Sequence, residues 1–134
     1  MNTRLDDLGK LILRIAVGGL ILFHGLWKLQ NGIGFVQDVV SRHNLPAFVA
    51  YGVYAGEILA PALVIIGLVS RPAALIIAFD MTVAILLGRS ADITRTAAGG
   101  AWAIEVEMFF FLGALAVACL GAGRFALGMS SRWN

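Results

Sequence analysis

Residues 8–30 read LGKLILRIAVGGLILFHGLWKLQ. A membrane-spanning helix needs about 20 mainly apolar residues, and this stretch supplies them with Arg14 set inside the apolar run. A secretory leader also places a cation before an apolar run. Here Arg14 interrupts the run and no small-x-small cleavage site follows. The segment is therefore expected to stay in the protein as a helix.

Three further apolar stretches follow. Residues 47–69 are opened by Pro46 and closed by Ser70-Arg71-Pro72. Residues 72–88 begin with a proline, which suits a first helical turn. Residues 101–120 follow Gly99-Gly100 and stop at Gly121-Ala122-Gly123. Continuous runs such as ILAPALVII (residues 58–66) do not alternate as barrel strands do. In hydrocarbon, backbone polar groups must find partners within their own segment, so these are helices. The expected fold class is all-α, an integral membrane four-helix bundle with short loops, in a single domain over residues 1–134.

Composition agrees. Of 134 residues, 60% are hydrophobic and 13% charged, and mean hydropathy is +0.88. Soluble domains carry about 25% charged residues, so a water-soluble globule is excluded and the lipid bilayer is the first partner. Four spans use about 80 positions, which leaves no room for a sizeable extramembrane domain. Net charge is +2, and the ten basic residues are scattered from Arg4 to Arg132. Nucleic-acid binding needs them clustered on one solvated face, so that class is set aside. The single cysteine, Cys119, excludes an intrachain disulfide, a CxxC pair and a cysteine zinc site.

An even number of spans puts both termini on one side. Arg4, Lys10, Arg14, Arg71, Arg124 and Arg132 then lie on the terminal side, against Lys28, Arg42, Arg89 and Arg95 on the other. The bias favours cytoplasmic termini. The long first loop, residues 31–45, carries Phe35, Val36, Val39 and Val40 at helical spacing, with Asp38 and Arg42 four apart. A short interfacial helix fits this pattern, and so does an irregular loop.

The chemically informative residues are ionisable groups inside the spans: Arg14, His24 and Lys28 on the first, Glu57 on the second, Asp80 on the third, and Glu105 and Glu107 on the fourth. A charge at mid-membrane costs about 2.5–3.5 kcal/mol even on the lenient scale, so these groups are expected to face one another or a hydrated cavity. At about 100° per residue, Arg14, Gly18, His24, Gly25 and Lys28 fall in one arc of about 120°. Tyr54, Glu57 and Pro61 share a face, whereas the Gly52–Gly56 pair is expected to pack a neighbour away from the polar cluster. Glu105 and Glu107 lie about 200° apart, and Glu107 is the inward expectation. Arg14, His24, Lys28, Tyr54, Glu57 and Glu107 are the candidate ligand-binding residues; Glu57, Asp80 and Glu107 are the candidate catalytic ones. The competing explanation is a set of structural ion pairs that fix helix register. No metal ligand set stands out, because His43 sits in the loop and His24 alone is a poor anchor. No phosphate loop, dinucleotide fingerprint or nucleophile triad is present.

At these residues the chain resembles the DoxX family of small bacterial four-helix membrane proteins. The matching features are Leu13-Arg14, Phe23-His24-Gly25-Leu26-Trp27-Lys28-Leu29, Glu57, Gly67-Leu68 and Arg71-Pro72-Ala73-Ala74. Gly99-Gly100, an acid early in the fourth helix and Gly121-Ala122-Gly123-Arg124-Phe125 complete the order. Where members often close with Ser-Leu-Asp, this chain has Ala126-Leu127-Gly128, and either Glu105 or Glu107 stands for the helix-four acid. The resemblance implies a bacterial inner-membrane protein described as an oxidoreductase, linked to quinone chemistry or to membrane redox complexes. A quinone bound at the cluster around Glu57 is the cofactor expectation. The alternatives are a non-enzymatic membrane subunit or anchor holding redox or stress-response partners, and a small-solute or proton carrier that works as a homo-oligomer.

Overall fold

The computed structural model describes residues 3–128 and 133–134. Arg132, counted above among the cations of the terminal side, lies outside the described residues. Helix α1, Thr3–Asn31, is longer than the expected 8–30 segment. Asp6 in its first turn and Lys28 in its last complement the helix dipole, and Lys10 pairs with Asp6 four residues back at 2.7 Å. At 1.5 Å per residue it is about 43 Å long, more than the hydrocarbon thickness of about 30 Å.

The first loop does form a helix, α2, Gly34–Arg42. It tucks Val40 against Ile33, Ala50 and Val53 in a small satellite core and leaves Phe35 exposed. Helix α3, Ala47–Ile66, starts as a 3-10 turn after Pro46. Its middle, Ala55–Leu59, is a π-helical turn closed by Ala60 N–H bonding to the Ala55 carbonyl. Pro61 accounts for this turn. It has no N–H to offer the carbonyl four residues back, which is Glu57, and its ring crowds that carbonyl.

The expected 47–69 segment ends early, at Ile66. Gly67 takes a left-handed φ of 74°, and its N–H and that of Leu68 cap the Leu63 carbonyl, each at 3.0 Å. Helix α4, Ser70–Gly88, begins two residues before Pro72. The largest departure is α5, which runs Glu105–Leu120 instead of 101–120. Gly99 and Gly100 both hold φ of 84°, and the chain folds back so that Thr96 bridges Trp102. Ala97 N–H bonds Ala101 O at 2.7 Å and Ala103 N–H bonds Arg95 O at 3.0 Å. Residues 101–103 thus bond within the loop and not in a helix, and Ile104 caps α5, its carbonyl accepting the Met108 N–H at 3.0 Å.

The described residues are helical with no strand beyond that one bridge. Helices α1, α3 and α4 are long and apolar enough to cross a membrane; α5, at 16 residues, is shorter. The four long helices α1, α3, α4 and α5 alternate in direction. Asp7, the α3–α4 turn and residues 122–125 meet at one end of the bundle, through Arg14 and Arg71. The core draws on all four: Val17 and Ile21, Ala60 and Val64, Ala73, Ala74, Ile77, Ala78 and Met81, and Phe110, Ala114 and Val117. The run of alanines on α4 lets its neighbours approach closely, and α4 with α5 and α1 with α3 form the two most extensive helix pairs. Large apolar residues such as Leu20, Phe23, Leu59, Phe79, Phe109 and Leu112 point outward. That distribution suits lipid and not water.

Candidate functional site

Among the ionisable groups of the spans, Arg14 is the most buried, at 1% exposure. Among the described residues it pairs with no carboxylate. Its guanidinium donates to four backbone carbonyls: Val64 at 2.8 Å, Ile65 at 2.6 Å, Ala122 at 2.6 Å and Phe125 at 2.9 Å. Two belong to the C-terminal turn of α3, where the carbonyls carry partial negative charge. Arg14 therefore ties α1 to the end of α3 and to the segment after α5. It stands apart from the acids, which the arc on α1 did not reveal.

The second group lies nearer the opposite end. Lys28 Nζ donates to Glu57 Oε1. The Glu57 side chain is 7% exposed and that of Lys28 23%, so the pair has a buried acid and a cation that still reaches the surface. Two glycines make the approach feasible. A Cβ on Gly25 would run into the Glu57 backbone, and one on Gly56 would overlap the carboxylate of Asp80. Gly56 therefore lies against the polar cluster and does not turn away from it, as its GxxxG spacing had suggested. A Cβ on Gly52, its partner in that motif, would meet nothing within 4 Å among the described residues. Asp80 is half-buried and within electrostatic reach of both Glu57 and Lys28. One oxygen of each acid, Glu57 Oε2 and Asp80 Oδ2, is out of contact with solvent and has no hydrogen-bond partner among the described residues.

The remaining candidates divide. Glu107 is held 3.3 Å from Arg89, which also sits 3.3 Å from Asp92. The fourth helix therefore brings its acid to a separate network at the loop, and the Glu57 cluster is built from α1, α3 and α4. Glu105 is exposed and accepts the Trp102 N–H at 3.2 Å. Tyr54 packs against the satellite core and lies 6.4 Å from Tyr51, ring to ring. His24 is exposed, with its ring edge-on to Phe110 at 6.0 Å.

His24 and Lys28 line a shallow groove of about 330 Å³ together with Phe23 and Trp27. Its walls are the outward side chains Phe23 and Trp27, 72% and 62% exposed. Its one full charge is the ammonium of Lys28. Sequence reasoning missed two elements of this site: the π turn at Glu57, whose signal is the proline four residues later, and the role of Gly56.

Fold and site together define a multi-pass helical membrane protein with an acid–base cluster between its spans. The family model for DoxX matches residues 9–90, and the chain belongs to the DoxX family. That match takes in Arg14, His24, Lys28, Glu57 and Asp80 and stops short of Glu107. The chain is similar to the Putative oxidoreductase CatD of Bacillus subtilis (strain 168), 35% identical over 80 residues, or 60% of this chain. The aligned part is 59% of that relative's length. No solved structure matches the chain.

Proposed function

We propose that this protein is a redox-associated component of the bacterial inner membrane, with both termini in the cytoplasm, that holds a quinone headgroup beside Lys28. The observation that carries the reading is the groove itself. A strong hydrogen-bond donor, Lys28 Nζ, stands at an opening walled by Phe23 and Trp27 and faced by lipid. Ligand sites usually measure about 300–1,000 Å³, and about 330 Å³ suits a single ring whose isoprenoid tail stays in the bilayer. When bound, a quinone supplies electron and proton acceptance. Lys28 would donate to one carbonyl, and the aromatic walls would exclude water from the ring. Glu57 keeps the ammonium in place, because an unpaired lysine inside a span would snorkel towards the interface. His24 at the rim is a second donor. The name of the related CatD protein supports an oxidoreductase setting. The chain has a single cysteine and therefore no dithiol of its own, so in this reading redox partners are separate proteins.

Quenching of Trp27 fluorescence tests the reading, in protein whose Trp102 and Trp133 are replaced by Phe. A short-chain ubiquinone or menaquinone analogue is expected to quench saturably in nanodiscs, and Lys28→Gln to weaken that binding about tenfold, the loss of one charged hydrogen bond of about 1.5 kcal/mol. Non-saturating quenching, equal in both proteins, would reject it.

A further inference from the structure

The Lys28–Glu57–Asp80 cluster has two acids and one base. Ionised throughout, it would place a net negative charge between membrane spans. Burying an unbalanced ion is unfavourable even after relaxation, and among the described residues no further cation pairs with the cluster. The charged and titratable groups on the packed elements are accounted for. On α1, Arg14 is bound to carbonyls at the far end and His24 lies outward at the groove. On α3, Tyr54 packs against the satellite core. On α5, Glu107 is taken by Arg89.

Hydrogen bonding leads to the same shortfall independently. Lys28 satisfies Glu57 Oε1, but Glu57 Oε2 and Asp80 Oδ2 are both buried and both lack a donor among the described residues. Buried carboxylate oxygens are normally satisfied. Two such orphans from adjacent elements indicate a missing hydrogen. The Asp80 carboxylate occupies the space beside Gly56, one residue before Glu57, so the two acids share one neighbourhood. Like acids in one site do not both ionise readily, and one proton divided between them is the usual resolution.

We propose that Glu57 and Asp80 together hold one proton at neutral pH, which makes the cluster electrically neutral with Lys28 and gives the site a proton donor within the membrane. The proton is a property of the pair and belongs to neither residue alone. The proposal deepens the site described above without depending on a quinone. It requires only that the cluster be buried as the structure shows.

Infrared difference spectroscopy on the full chain in quinone-free nanodiscs tests it. At pH 7 the wild-type protein is expected to show the C=O stretch of a protonated carboxyl, recognised by its downshift in D2O. Asp80→Asn and Glu57→Gln should each abolish that band, because the remaining acid then pairs with Lys28 as an ion. Lys28→Met should double it, because both acids then need a proton. A wild-type spectrum without the band, whether or not sodium is present, overturns the proposal, as does a band that survives in both acid variants. The wild-type spectrum alone can decide against it, so the result does not hang on any variant folding. Trp27 quenching is read separately, so a failed quinone reading and a failed proton reading give different results.

Discussion

Arg14 and Lys28 sit on one helix and serve different ends. Arg14 uses the planar fork of guanidinium to reach four carbonyls from two segments, a geometry an ammonium cannot reproduce. Arg14→Lys is therefore expected to cost roughly 2–4 kcal/mol, since each bond to a charged group is worth about 1.5–3 kcal/mol and only part can be remade. Thermal unfolding in detergent micelles measures this, and an unchanged midpoint would mean that the fork geometry is unimportant. Gly25 is a different kind of residue-scale constraint. A methyl there meets the Glu57 backbone and Ile58 Cγ1, the latter at 2.6 Å, and a helix backbone has little room to yield. Gly25→Ala should destabilise by about 1–3 kcal/mol, as overpacking does, and should push α1 from α3 enough to part Lys28 from Glu57. Loss of stability with the Lys28–Glu57 pair intact, judged by an unchanged Trp27 quenching curve, would contradict that second expectation.

At the scale of the element, the instructive case is α3. Its π turn, Ala55–Leu59, carries Glu57 and precedes Pro61. Single π turns inside α-helices recur at functional sites because they re-aim a side chain at modest cost. Replacing the proline restores the N–H that Glu57 O lacks, and an ordinary α-helical register becomes available. Pro61→Ala is thus expected to leave thermal stability equal or higher while weakening quinone-analogue binding. A variant that is less stable yet binds normally would show that the proline serves packing and not the site. The α3–α4 junction follows the same local logic. Gly67 at φ 74° ends one helix, and an alanine there should cost about 1–2 kcal/mol for left-handed backbone alone.

For the whole molecule, helix direction sets the topology. Asp7, Arg14 and Arg71 gather the start of α1, the α3–α4 turn and the end of α5 at one end of the bundle. The Arg89–Glu107 network and α2 lie at the other. Single cysteines at Thr3 and Arg124, introduced with Cys119 replaced by Ala, should react with a membrane-impermeant thiol reagent from the same side. A cysteine at Ser90 should react from the opposite side. Shared labelling of Thr3 and Ser90 would refute the alternating arrangement. In such a bundle the groove on α1 meets the acid–base cluster at Lys28, the residue common to both.

The class of protein was open to view in the primary structure, because a chain with 13% charged residues cannot cover a soluble surface. So was the need to hide Arg14, Glu57 and Asp80, since hydrocarbon penalises every charge it meets. Helix ends were less legible. Residues 101–104 are apolar enough to continue a helix, and only the fold-back between Arg95 and Ala103 withdraws them. Which charges meet was not legible at all. Periodicity put Arg14 and Lys28 on one stripe and left Gly56 facing away, but a helical wheel carries no information about neighbours. Arg14 went to carbonyls, Lys28 to Glu57 and Glu107 to Arg89 because partner choice depends on distances between helices. Those distances are set by the small residues where helices touch and by the π turn that precedes the proline of α3.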